Sequence, residues 1–104
     1  RIDSRVGQRT RLEVVADGML PKLLMLEKDL SSVAAVVIDD HHERALHSDV
    51  ALSLCLYLQR TTRPDLRIVL LSATPNNEAL RAFIPSLSVF SCVTPRHPVR
   101  IEYA

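Results

Sequence analysis

The sequence predicts an α/β domain with a mainly parallel sheet flanked by helices. Short β-branched runs alternate along the chain with segments whose apolar residues recur at helical spacing, the pattern of a parallel α/β sheet. One run, Val36-Val37-Ile38, ends in two adjacent carboxylates, Asp39-Asp40. Carboxylates at the end of a buried parallel strand sit at the mouth of the sheet, where α/β proteins bind ligands. The composition is globular, with 47% hydrophobic residues and only 2 Gly. At 104 residues there is room for one domain with a modest core.

Taken in order, Arg11 to Val15 reads as a strand that Asp17-Gly18 breaks. Met19 to Lys28 carries Leu20, Leu23, Leu24 and Leu26 at helix-like spacing, with Asp17 as its expected N-cap. Pro21 is compatible with that helix only in its first turn. Ser31-Ser32 mark a turn before the central strand, Val33 to Ile38, which is expected to be buried on both faces. Ser48-Asp49 reads as a cap and Val50 to Arg60 as a helix, apolar on most sides and expected to lie deep against the sheet. Thr61 to Asp65 forms a loop around Pro64, and Arg67 to Leu71 a further strand. Pro75-Asn76-Asn77 opens a short helix with Leu80, Phe83 and Ile84 on its buried side, and Pro85 closes it. Leu87 to Val93 is a fourth strand candidate. Pro95 and Pro98 bracket a connector into an extended Val99 to Tyr103.

The net charge of +1 neither favours nor excludes a nucleic-acid partner. Arg1, Arg5, Arg9 and Arg11 gather near the N-terminus, where they suit either a phosphate-facing patch or a solvated basic edge. Cys55 and Cys92 stand in apolar contexts without CxxC spacing and are expected to be buried free thiols of a reducing cytoplasm. No apolar leader is visible, and the longest apolar stretch, Val50 to Leu58, is too short to cross a bilayer, so no membrane partner is expected. The first residue is Arg1 rather than a methionine, which leads us to expect a piece of a longer chain.

The Asp39-Asp40 stretch has the ground plan of a Walker-B-type pair, in which one carboxylate serves Mg²⁺ and the next orients water. A second reading has both residues capping the following turn. A metal cluster of His41, His42 and His47 with Asp39 is disfavoured, because adjacent residues of an extended chain point to opposite faces.

Three elements taken together, Asp17-Gly18-Met19-Leu20, Asp39-Asp40-His41-His42-Glu43-Arg44 and Ser72-Ala73-Thr74, resemble motifs Ib, II and III of the DExH/DEAH-box helicases of superfamily 2, most closely the bacterial HrpB type. Thr10 to Val15 resembles the family's lead-in to the first of these, and His97 to Tyr103 its passage toward a second domain. The resemblance implies a partial RecA-like P-loop NTPase fold. Residues 1–94 would be the latter part of the first RecA-like, ATP-binding domain, and residues 95–104 the connector to a second. It implies an ATP-dependent RNA helicase that couples Mg-ATP hydrolysis to unwinding or translocation. Its partners would be RNA and the second RecA-like domain of the same chain.

By the same resemblance Asp39 holds Mg²⁺ through water, and Asp40 and His42 are catalytic, His42 being the motif-ending histidine. Ser72 and Thr74 couple the nucleotide site to domain movement, while Asp17 and Gly18, with Arg9 and Arg11, face the RNA backbone. Asp40 stands where the family usually has Glu, one methylene shorter, a retreat of about 1.5 Å. A displacement of that size can cost on the order of 10²-fold in rate. Ala16 replaces a common Thr and removes one hydroxyl from the RNA-facing segment.

The only glycines are Gly7 and Gly18, so no Gly-rich loop with Lys-Ser/Thr cradles a triphosphate. The chain alone is therefore expected to be inactive. A RecA-like sheet without its P-loop strand is expected to present an unpaired edge. The alternative from a different class is a non-catalytic remnant that binds RNA or a protein partner; the substitutions at Asp40 and Ala16 lean that way.

Overall fold

The structure, a computed structural model, describes residues 7–16, 18–39, 46–74, 76–93, 97–98 and 100–103. Five elements follow one another: α1 (Met19–Leu26), β1 (Ala35–Ile38), α2 (Leu46–Arg60), β2 (Arg67–Leu70) and α3 (Asn77–Phe83). β1 and β2 pair in parallel, with Ala35 opposite Arg67 and Ile38 opposite Leu70, and α2 makes the crossover between them. This βαβ unit is the α/β architecture expected, in its smallest form.

α1 starts on Gly18 as N-cap, one residue later than the Asp17 cap expected; Asp17 itself lies outside the described residues. Pro21 falls in the first turn, where its missing N–H has no intrahelical acceptor to lose. The helix ends at Leu26 rather than Lys28. Glu27 turns to extended geometry while its N–H still reaches the Leu23 carbonyl at 2.8 Å. α2 begins at Leu46, so Ser48 and Asp49 lie inside it and do not cap it. Asp49 in the first turn complements the helix dipole, and Ser48 is buried.

Two expected strands are absent. Residues 11–16 and 87–93 belong to no helix or strand; Leu12, Val14, Phe90 and Val93 lie in solvent, Val14 at 88% and Phe90 at 94% exposure, while Val15, Leu87 and Val89 are half-buried. A β-branched run becomes a strand only where a neighbour completes its backbone ladder. No such neighbour lies alongside them among the described residues. The central strand is also shorter than Val33 to Ile38 and is buried on one face only. Val36 and Ile38 point into the core while Val37 is 54% exposed. Val33 instead closes a turn, its N–H reaching the Leu30 carbonyl at 2.9 Å.

The core gathers Leu24 and Leu30, Val36 and Ile38, the inner face of α2 (Ala51, Leu52, Cys55, Leu56, Leu58) and Leu66. Leu66 and Cys55 are completely enclosed. α2 is thus deeply packed along one face, whereas its outer face leaves Leu46 and Tyr57 largely exposed, contrary to burial on most sides. α3 is capped by Asn76, whose Oδ1 accepts from the Ala79 N–H at 3.1 Å. Ile84 packs on the core and Leu80 is half-buried, but Phe83 is exposed and not on the buried side. Pro75 lies outside the described residues. Cys92 is exposed, correcting the expectation of two buried thiols. Among the described residues no helix is long and apolar enough to cross a membrane.

Candidate functional site

Parallel pairing brings the two strand ends to one edge of the sheet. Because Ile38 stands opposite Leu70, Asp39 and the Leu71-Ser72 pair leave the sheet side by side, on strands about 4.8 Å apart. The ladder continues one step past both strands, with the Leu71 N–H donating to the Ile38 carbonyl at 2.9 Å. Asp39 is exposed at this edge. Ser72 is half-buried, and its Oγ accepts from the Thr74 N–H at 3.2 Å, which folds Ser72-Ala73-Thr74 into a tight turn beside the carboxylate strand. Asp40 and His42, with His41, lie outside the described residues.

The remaining predicted residues sit elsewhere. Gly18 opens α1 and lies against the imidazole of His47 in the first turn of α2, the helix that follows the acidic stretch. Arg9 is in a turn closed by the Thr10 N–H to the Gly7 carbonyl at 3.0 Å and by the Gly7 N–H to Thr10 Oγ1 at 2.9 Å. Arg11 follows in the extended segment; both arginines are exposed and neither is carried by a helix or strand. The register therefore brings Asp39 and Ser72-Ala73-Thr74 to the same end of the sheet, Asp39 on the exposed face and Ser72 on the half-buried one, while Gly18 stands against His47 where α1 meets α2. Among the described residues no three His, Cys, Asp or Glu side chains are grouped to hold a metal ion. A strand-end carboxylate such as Asp39 suits Mg²⁺, which keeps several waters and takes its other ligands from substrate phosphates.

Sequence reasoning missed Arg63. Its side chain is only 11% exposed, and it uses every N–H it has. Nη1 donates to the carbonyls of Asp29 (2.9 Å) and Leu30, and Nη2 to the carbonyl of Val33 (2.8 Å). Nε and Nη2 fork onto the two carboxylate oxygens of Asp65 at 3.0 and 2.9 Å. The shared hydrogen bonds hold the Asp65 carboxyl below its usual range and raise the Arg63 guanidinium. The signal available was the Arg63-Pro64-Asp65 spacing, which presents a fork and a carboxylate on either side of a fixed φ. The carbonyls it grips lie some thirty residues upstream and carry no mark in the sequence.

No protein-family model matches the chain. It is 38% identical over 103 residues to the ATP-dependent RNA helicase HrpB of Escherichia coli (strain K12), a match that covers 99% of this chain and 13% of that protein. It is 41% identical over 83 residues to the probable ATP-dependent RNA helicase DHR2 of Saccharomyces cerevisiae, covering 80% of this chain and 11% of that protein. The crystal structure of the Escherichia coli DEAH/RHA helicase HrpB superposes with a TM-score of 0.72 at 42% identity, over 77% of this chain and 10% of that one. The chain thus spans about an eighth of the length of the curated relatives it matches.

Proposed function

Since the chain is a segment of an HrpB-type DExH helicase, we propose that it is the latter part of the first RecA-like, ATP-binding domain of an ATP-dependent RNA helicase, with residues 95–104 leading to the second RecA-like domain. The observation that carries this reading is the shared sheet edge of Asp39 and Ser72-Ala73-Thr74. Two polar stretches far apart in sequence leave the sheet at the same end, where α/β sheets bind ligands. In the parent protein, acting in the cytoplasm, Mg-ATP supplies the transferable phosphoryl group and the charge that neutralises its oxygens. Asp39 would hold the cation, and Asp40 would orient the attacking water and accept its proton. His42, Ser72 and Thr74 join this edge to the facing domain through hydrogen bonds. Asp17 and Gly18, with Arg9 and Arg11, line the RNA backbone, where a glycine lets phosphate approach closely.

A second reading, a remnant that binds RNA or a protein without turnover, is favoured by Asp40 in the place of Glu and by Ala16. One experiment separates the two: the matching segment of Escherichia coli HrpB is replaced by this chain, and RNA-stimulated ATP hydrolysis is measured. Turnover that Asp39→Asn abolishes supports the helicase reading. Turnover that appears only with Asp40→Glu, raised on the order of 10²-fold, supports the remnant. A folded chimera that hydrolyses nothing with either residue at position 40 overturns the site assignment.

A further inference from the structure

Arg63 is the most fully engaged side chain described in this protein, yet it lies at the opposite end of the sheet from Asp39. Its five N–H groups are divided among three main-chain carbonyls and one carboxylate. The carbonyls belong to the turn that launches β1. Within that turn Leu30 is nearly fully buried and holds a left-handed backbone, φ 49°, which a branched residue adopts only when its surroundings impose it. The carboxylate, Asp65, belongs to the turn that launches β2. One guanidinium therefore ties the starting points of both strands together; the Arg67 N–H adds a bond to the Ala34 carbonyl at 3.1 Å, and Gln59 Nε2 holds the Leu66 carbonyl from α2 at 2.7 Å.

Such a tie matters because the pairing itself is short. Each strand has four residues; on the outward face Ala35 stands opposite Arg67 and Val37 opposite Val69, with the apolar Leu71 two residues further on. A two-residue slip would set Ile38 against Ser72 but leave each strand's own inward and outward sets unchanged, so the alternation of burial by itself does not exclude it. It would also carry Asp39 past Ser72 by about 6.6 Å.

We propose that Arg63, oriented by Asp65, is a positioning residue that fixes the register of β1 against β2 and thereby sets Asp39 beside Ser72. The importance of that juxtaposition rests on the helicase reading above; the fixing of register does not.

Disulfide trapping tests it without nucleotide or RNA. In a Cys92→Ser background, one protein carries Val37→Cys with Val69→Cys, and a second carries Val37→Cys with Leu71→Cys. All three sites are exposed on the outer face, and directly opposed strand residues fall within disulfide reach. With Arg63 intact the first pair is expected to close under mild oxidation and the second to close poorly. Arg63→Lys keeps the charge but not the fork. It is expected to raise the ratio of the second disulfide to the first at least several-fold while the helical circular dichroism persists. A merely stabilising residue would lower both yields together and leave their ratio unchanged, and that result overturns the proposal. If Arg63→Lys abolishes folding, Asp65→Ala decides: it leaves Arg63 in place and removes only what orients it. A folded Asp65→Ala protein with the native ratio overturns the proposal, and a shifted ratio supports it.

Discussion

The imidazole of His47 rests against Gly18: a Cβ built on that glycine stands 3.8 Å from both Cδ2 and Nε2 of the ring. That is ordinary van der Waals contact, and the Gly18 backbone is right-handed helical at φ −72° and ψ −9°. Among the described residues neither packing nor conformation demands a glycine here.

Gly18→Ala is therefore expected to leave the fold intact, with thermal stability changed by no more than about 0.5 kcal/mol. If Gly18 faces the RNA backbone, the same substitution weakens binding of a single-stranded RNA oligonucleotide in the Escherichia coli HrpB chimera. Thermal melting and RNA titration of one variant check both halves. A large loss of stability would show that the glycine serves the fold.

The two cysteines differ in accessibility and so in chemistry. Burial pushes the Cys55 thiol up to about 11 from its ordinary 9.0. The neutral thiol is favoured in the folded state, while the unfolded chain ionises at the ordinary value. The stability this confers is complete below pH 9 and is lost as pH climbs to about 11. Unfolding by urea across that range is expected to show a pH-dependent decline that Cys55→Ala reduces. At pH 8 a thiol reagent is expected to modify the exposed Cys92 quickly and Cys55 only on unfolding.

The two-stranded sheet leaves one edge of each strand without a described partner, and its outer face shows Val37, Val69 and Leu71. The radius of gyration, 17.1 Å, exceeds the roughly 13 Å of a compact domain this size, as exposed apolar arms require. The isolated chain is expected to associate as concentration rises. Val69→Lys, which places a charge on the outer face beside the edge, is expected to shift it toward monomer in light scattering. A monodisperse wild-type monomer that melts cooperatively would count against an available edge.

Much of the βαβ unit was legible because its signals are local. Helical spacing announced α2 to its last residue, Arg60, and a β-branched run followed by two carboxylates marked the end of β1. The Asp17-Gly18, Asp39-Asp40 and Ser72-Ala73-Thr74 stretches were likewise sufficient to suggest the family, since short motifs keep order and spacing along the chain. Tertiary structure decided what depends on a distant partner. Arg11 to Val15 and Leu87 to Val93 have strand composition but no described ladder neighbour, so they remain outside the sheet. Burial of Val36 but not Val37 depends on which face of the sheet the helices cover. The grip of Arg63 on Asp29, 34 residues away, is likewise a product of folding. Periodicity is written residue by residue, whereas ladders, covered faces and guanidinium forks exist only once separate parts of the chain have met.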